Sequence, residues 1–267
     1  MTQDDLDDLL VVARDAAREA AAHVKTGFRK RPQVEHKGAV DLVTSFDRDS
    51  EALLRARLLP LGIPIVGEEE GGSIPEEGPA LFIDPLDGTT NFVHGHPFWC
   101  VSIGLAISKQ PVLGVVVSPP LALEWTGIAG GNGARRNDDA CTVTSLEAFE
   151  DSLLATGFPY DRRTSDDNNF DAFVAIKRRC QAVRRCGSAA LDLCLVADGT
   201  YEGYWERKLK PWDIAGGAAI VRAAGGRVTD FEEGDSFLTT GHIVATNGAI
   251  HPRLLEELRR VASVRST

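Results

Sequence analysis

The densest chemistry in the chain lies in Leu81-Phe82-Ile83-Asp84-Pro85-Leu86-Asp87-Gly88-Thr89-Thr90-Asn91-Phe92. There an apolar run ends in two carboxylates, followed by a glycine and two hydroxyls. This order reads as a buried strand that delivers acids to its carboxyl end and turns at glycine. Hard divalent cations take carboxylate oxygens as ligands, and backbone N–H groups exposed after a glycine turn suit a phosphate. Pro85 lacks an N–H and has a fixed φ, so the strand is not expected to run on simply through Asp87. Taken alone, Asp-x-x-Asp-Gly also describes an ordinary acidic strand end.

Other segments add acids of the same kind. Ile63-Pro64-Ile65-Val66-Gly67-Glu68-Glu69-Glu70 is a second apolar run that ends in carboxylates. Lys210-Pro211-Trp212-Asp213 opens an apolar, helix-like segment, and Asp41-Leu42-Val43-Thr44-Ser45-Phe46-Asp47 brings two more acids around a short extended stretch. Separate acidic clusters at the ends of elements are the layout of a multi-metal phosphoryl-transfer site.

Gly67-Glu68-Glu69, then Asp84 to Phe92, then Trp212-Asp213, in this order, resemble the inositol monophosphatase family of magnesium-dependent, lithium-sensitive phosphatases. The likeness runs from about Leu6 to about Leu258. It takes in Gly187-Ser188-Ala189-Ala190-Leu191-Asp192-Leu193, Tyr204-Trp205-Glu206, Gly225 to Asp230 and Ile243 to Asn247.

The resemblance implies a set of site residues. Glu68, Asp84 and Asp87, with the backbone carbonyl of Leu86, hold one Mg2+. Asp84, Asp87 and Asp213 hold a second, and a third, weaker ion involves Glu68. Glu68, Thr89 and Asp47 form the catalytic group, with Asp47 polarising the Thr89 hydroxyl and Thr89 orienting the attacking water. Gly88, Thr89 and Thr90 take the phosphate, while Ser188, Ala189 and Glu206 face the sugar-like alcohol. Gly157-Phe158-Pro159-Tyr160-Asp161 resembles a loop that closes over substrate, and Lys37 stands near Asp41. The implied reaction is hydrolysis of inositol 1-phosphate to myo-inositol and phosphate.

Rival readings fail on spacing. A phosphatase with an Asp-x-Asp nucleophile needs its second acid one residue closer than Asp87 stands to Asp84. An EF-hand loop needs acids at alternating positions and a glutamate much later. Within the superfamily, Thr90-Asn91-Phe92 favours the inositol-phosphate branch over relatives that cleave 3′-phosphoadenosine phosphate. Histidinol phosphate, fructose 1,6-bisphosphate and NADP stay open, because small pocket changes redirect specificity. A non-catalytic dimeric scaffold is the reading from another class, but every matched metal position keeps its carboxylate. His94-Gly95-His96 looks like a metal pair, yet oxygen ligands dominate its surroundings, so a loop role is expected.

The elements that must carry these residues follow from periodicity. Leu6, Leu9, Leu10, Ala13, Ala17, Ala20, Val24 and Phe28 predict a helix near 4–29. A hairpin around Gly38 spans Val34 to Thr44, and a second helix runs from Asp47 to Leu59. Strands are expected at Ile63–Val66, Leu81–Ile83, Trp99–Ile107, Val112–Val117 and Glu124–Ile128. A second half begins after Ala148. It holds strands at Ser152–Thr156 and Tyr201–Glu206, helices at Phe170–Arg179, Ala189–Ala197 and Ile214–Ala224, two further strands, and a terminal helix near 252–262.

Elements mixed in blocks indicate a layered α/β protein. The resemblance narrows this to a five-layer αβαβα sandwich of the inositol monophosphatase and fructose-1,6-bisphosphatase type. The expected organisation is one domain over 1–267, its halves of roughly 1–147 and 148–267 sharing one site. A net charge of -10 argues against nucleic acid and anionic membrane as partners. The five cysteines lack zinc-type spacing and are expected as buried free thiols in a reducing cytoplasm. No run of about 18 apolar residues is present to span a membrane, and the acidic, helical start does not read as a secretory signal. The remaining partners implied are a small phosphorylated alcohol as substrate and a second copy in a homodimer.

Overall fold

The structure, a computed structural model, describes residues 1–36 and 42–265. In chain order its first half holds α1 (Gln3–Lys25), β1 (Glu35–His36), β2 (Leu42–Val43), α2 (Ser45–Leu58), β3 (Ile65–Gly67), β4 (Pro79–Asp87), α3 (Thr89–His94), β5 (Cys100–Ile107), β6 (Gln110–Ser118), β7 (Leu123–Ile128), β8 (Gly133–Arg136) and β9 (Asp139–Cys141). The second half adds β10 (Leu153–Thr156), α4 (Phe170–Lys177), β11 (Ala182–Arg184), α5 (Ala189–Ala197), β12 (Gly203–Glu206), α6 (Pro211–Ala223), β13 (Arg227–Thr229), α7 (Phe237–Thr240), β14 (Ile243–Thr246) and α8 (His251–Arg265). Gly38, Lys37 and Asp41 lie outside the described residues.

β3 to β9 follow one another in a seven-stranded sheet, and β11-β10-β12-β14-β13 form a five-stranded one. Alternation along β4 explains the layering, because successive side chains of a strand point to opposite faces. Leu81 and Ile83 pack with Leu9, Ala13, Leu54 and Leu58 of α1 and α2. Ala80 and Phe82 join Leu191, Leu193, Ile214 and Ile220 of α5 and α6, between the two sheets. The outer face of the second sheet packs Leu154, Trp205 and Val244 against Ile176 of α4 and Leu254, Leu255 and Leu258 of α8. Helix, sheet, helix, sheet and helix layers make the αβαβα sandwich. Both faces of β4 are covered, which is why its sequence is apolar from Pro79 to Ile83.

The middle layer is tight because it is built from small residues. A Cβ on Gly114 of β6 would stand 2.0 Å from the carbonyl oxygen of Gly216 in α6. The backbone of α6 therefore rests directly on the sheet, and it brings Asp213 to the sheet's carboxyl-terminal edge.

Several expectations need correction. β4 does not stop at Ile83 but continues to Asp87, with a shift in its pairing to β5 between Asp84 and Asp87. The irregular step absorbs Pro85, whose missing N–H cannot serve the ladder. Its carbonyl instead accepts a hydrogen bond from Ser50 Oγ at 2.8 Å. α1 ends at Lys25 rather than near 29, and the following turns swing Phe28 onto Phe92 and Trp99. β8, β9 and β11 were not expected: they are short, and most of their residues are exposed or half-buried. The cysteines are free, but only Cys100 and Cys194 are buried.

Candidate active site

Helix α2 is the beam on which the acids are hung. Thr44 caps it: its Oγ1 accepts from Phe46 N at 3.2 Å, while Asp47 Oδ2 accepts from Thr44 N at 2.8 Å. The other oxygen of Asp47 accepts the Thr89 hydroxyl at 2.9 Å. One turn on, Ser50 ties down Pro85, and Glu51 receives the backbone N–H groups of Glu69 at 2.7 Å and Glu70 at 3.0 Å. Arg55 neutralises Glu51 at 2.8 Å and donates to the carbonyl of Gly71 at 2.8 Å. Residues 47, 50 and 51 share one face of the helix by spacing. That single face fixes Thr89, the irregular step in β4 and the turn that carries Glu68.

Gly88 follows with φ 95°, a left-handed conformation that favours glycine. It turns β4 into α3, which is anchored by Phe92 among Phe28, Phe46 and Trp99 with ring centroids 5.4–6.1 Å from Phe92. Thr89 thus sits at the first position of a short, well-braced helix. Its hydroxyl lies 3.1 Å from the Leu86 carbonyl as well as beside Asp47.

A cavity of about 560 Å³ opens over this turn. Of the residues expected to form the site, Glu68, Asp84, Leu86, Asp87, Gly88, Thr89, Thr90, Ser188, Ala189, Glu206 and Asp213 all line it. Asp47 does not, being fully buried beneath Thr89. Each aspartate in the wall has one oxygen held by the protein. Asp84 Oδ1 accepts from Leu86 N at 3.0 Å, Asp213 Oδ2 from Lys210 N at 2.7 Å, and Asp87 Oδ2 from Ser188 Oγ at 2.6 Å and Ala190 N at 2.7 Å.

Burial, followed by repulsion from Glu68 and Asp87, pushes the Asp84 and Asp213 carboxyls well above the usual range. Burial pushes Asp87 up to about 6, against the hydrogen bonds from Ser188 and the backbone of Ala190. Acids that repel one another this deep in a protein are ionised together only when cations balance them. An all-oxygen donor set of this kind fits Mg2+. Among the described residues no three Asp, Glu, His or Cys side chains close around a single point. The carboxylates are gathered along one wall, and a bound cation would draw them in.

The second sheet and α5 complete the lining. Glu206 is buried, and the Tyr204 hydroxyl donates to its Oε2 at 2.5 Å. Burial pushes Glu206 up to about 7, with the Tyr204 hydrogen bond opposing. Its sequence neighbours also line the cavity but pair with other acids: Arg207 with Asp167 at 2.8 Å and Lys208 with Asp161 at 2.8 Å. Those pairs fasten the segment after Gly157, whose Phe158, Pro159 and Tyr160 form the cavity rim. Asn91 lines the wall, and its amide donates to the carbonyls of Phe98 at 2.7 Å and Cys186 at 2.9 Å.

Sequence reasoning missed Ser50, Glu51 and Cys100, and it gave Tyr204, within the Tyr204-Trp205-Glu206 segment, no role of its own. On a helix with a polar face, a serine and a glutamate followed by arginine look like an ordinary solvated pair. The one signal was that Glu51 stands four residues after Asp47, on the side of α2 that Asp47 must present to Thr89.

The layered fold and the carboxylate wall over a Gly-Thr turn are consistent with a phosphatase, and the relatives support one. A family model described as the inositol monophosphatase family matches residues 5–263, and the chain belongs to that family. It is 43% identical over 259 residues to an inositol-1-monophosphatase of Synechocystis, covering 95% of this chain and 90% of that protein. It is 38% identical over 262 residues to a protein of Pseudomonas aeruginosa named Nus factor SuhB, covering 94% and 96%. The structure of inositol monophosphatase from Anabaena superposes with a TM-score of 0.88 at 38% identity, covering 96% of this chain and 97% of that one.

Proposed function

We propose that this chain hydrolyses inositol 1-phosphate to myo-inositol and inorganic phosphate, with Mg2+ held by Glu68, Asp84, the Leu86 carbonyl, Asp87 and Asp213. Bound Mg2+ supplies an electrophile that polarises the phosphoryl group and acidifies water. The observation that carries the reading is the hydrogen bond from cavity-lining Thr89 to the buried Asp47 at the foot of the carboxylate wall. With its proton directed to Asp47, the Thr89 hydroxyl turns a lone pair toward the cavity and accepts from the attacking water, on the side of Glu68. The water oxygen bonds to phosphorus as the ester P–O bond breaks. The alcohol oxygen takes up a proton, and phosphate leaves with the remainder. The N–H groups of Gly88, Thr89 and Thr90 face the phosphoryl oxygens, as the first donors of a helix lack intrahelical acceptors.

Ala189 and Glu206 line the same cavity and are assigned to the ring hydroxyls. The 43% identity to a protein named inositol-1-monophosphatase supports the substrate. Comparing kcat/KM for inositol 1-phosphate with that for histidinol phosphate, fructose 1,6-bisphosphate, NADP and 3′-phosphoadenosine phosphate tests it. Preference for inositol 1-phosphate, blocked by millimolar lithium, is expected; preference for another ester would reassign the substrate within the same chemistry. The likeness to a protein named a Nus factor supports a second reading, a binding role held beside catalysis. A homodimer is also proposed, supported by Phe170 and Val174, which stand exposed one turn apart on α4.

A further inference from the structure

Ser188 was expected to face the alcohol, and it does line the cavity, yet its hydroxyl is committed inward. The residue is 1% exposed, and Oγ donates to Asp87 Oδ2 at 2.6 Å. The same oxygen atom accepts from Leu191 N at 3.3 Å, capping α5. A serine hydroxyl has one hydrogen to give. With that hydrogen on Asp87, none is left for a substrate hydroxyl.

Asp87 Oδ2 is held from further directions. Ala190 N donates to it at 2.7 Å, and the Cys100 thiol approaches at 3.9 Å, itself 3.6 Å from Ser188 Oγ. The first turn of α5 is therefore wrapped around the inner oxygen of Asp87. A hydroxyl-to-carboxylate bond of this length belongs to the strong, charge-assisted class. Such partners orient a ligand carboxylate and tune how tightly it holds a cation.

We propose that Ser188 is a positioning residue for Asp87: it selects which carboxylate oxygen faces the cavity and so sets cation affinity, without touching the substrate. The inference rests on the reading of Asp87 as a cation ligand. Ala189, assigned to the alcohol, lies between Ser188 and Ala190, both of which grip Asp87.

The test is Mn2+ binding to the substrate-free protein, followed by electron paramagnetic resonance, for wild type, Ser188→Ala, Ser188→Cys and Ser188→Thr. Ser188→Ala should weaken Mn2+ binding roughly 10- to 100-fold, the usual cost of losing a partner that orients a ligand. Mg2+ for half-maximal turnover should rise in step, while KM for inositol 1-phosphate at saturating Mg2+ stays within about twofold. Ser188→Thr keeps the hydroxyl and should restore binding, and Ser188→Cys should fall between. Loss of the helix cap alone would lower thermal stability and leave Mn2+ affinity intact. Unchanged Mn2+ affinity in folded Ser188→Ala, or in Ser188→Cys should the alanine variant not fold, would overturn the proposal. So would a raised KM with cation affinity preserved. A wild-type protein that binds no Mn2+ would overturn the cation reading itself and the inference with it.

Discussion

Asp87 faces the cavity on one side and is gripped by α5 on the other. Asp87→Asn keeps the size and an acceptor but removes the charge. Turnover should fall by more than the roughly 100-fold typical of losing one preorganised electrostatic partner, with the fold retained by circular dichroism. Full activity in that variant would remove Asp87 from the mechanism.

Glu206 provides a pH test. Its carboxyl is pushed up to about 7 by burial, so it changes charge near neutrality. Because the folded value lies above the ordinary one, this group favours folding most below the ordinary glutamate value, and the contribution is lost as pH rises through about 7. For substrate the sign is opposite, because the ionised form is the better acceptor for ring hydroxyls. KM for inositol 1-phosphate should rise as pH falls from about 8 to about 6 in wild type, and this component should vanish in Glu206→Gln. The same slope in both proteins would assign the titration to the substrate phosphate.

At the scale of elements, α2 and α6 decide whether the acids meet. α2 was legible as a helix from Asp47, but its start at Ser45 and its cap at Thr44 were not, because Thr44 reads as the end of the hairpin before it. Its bracing of Pro85, Glu69 and Glu70 was not, because those contacts join segments far apart in the chain. Glu51→Gln keeps the shape of the side chain but replaces one acceptor oxygen by a donor facing the backbone N–H groups of Glu69 or Glu70. Leaving a buried donor unpaired costs about 1–3 kcal/mol. A lower melting temperature together with a higher Mg2+ requirement is expected. An altered melting point with an unchanged Mg2+ requirement would show that Glu51 serves the fold only.

α6 depends on close approach. Gly114→Ala would drive a methyl to 2.0 Å from the Gly216 carbonyl, backbone against backbone. Overpacking of this kind costs about 1–3 kcal/mol or more. Denaturant titration should show that loss, and activity should fall with it as Asp213 is displaced. A variant of wild-type stability would mean that α6 can lift from the sheet without consequence.

For the molecule as a whole, the sequence was clearest where burial is deepest. β4, β5 and β6 are covered on both faces and read as largely apolar runs, whereas β8 and β9 extend the sheet with few buried residues and carry no such pattern. Strand order was beyond reach of periodicity, because it depends on which strands pair rather than on any one strand's alternation. The part of the candidate site at Asp84, Asp87 and Thr89 was legible because these residues lie in one continuous turn. The role of Ser188 was not, since a serine before a helix predicts a cap and gives no sign of what its hydrogen meets.

Phe170 and Val174 leave an apolar strip on α4 that a second copy would cover. Light scattering should give twice the chain mass, and Val174→Asp should shift it toward the single-chain value; a monomeric wild type would leave that strip without a self-partner. The most direct measurement of the central claim is phosphate release from inositol 1-phosphate by the wild-type chain, titrated with Mg2+ from a chelator-treated start. The account predicts negligible release without the cation, saturating turnover as it is restored, and no recovery in Asp87→Asn at the same Mg2+. Release that is equally fast in chelator, or unaffected by Asp87→Asn, would contradict it.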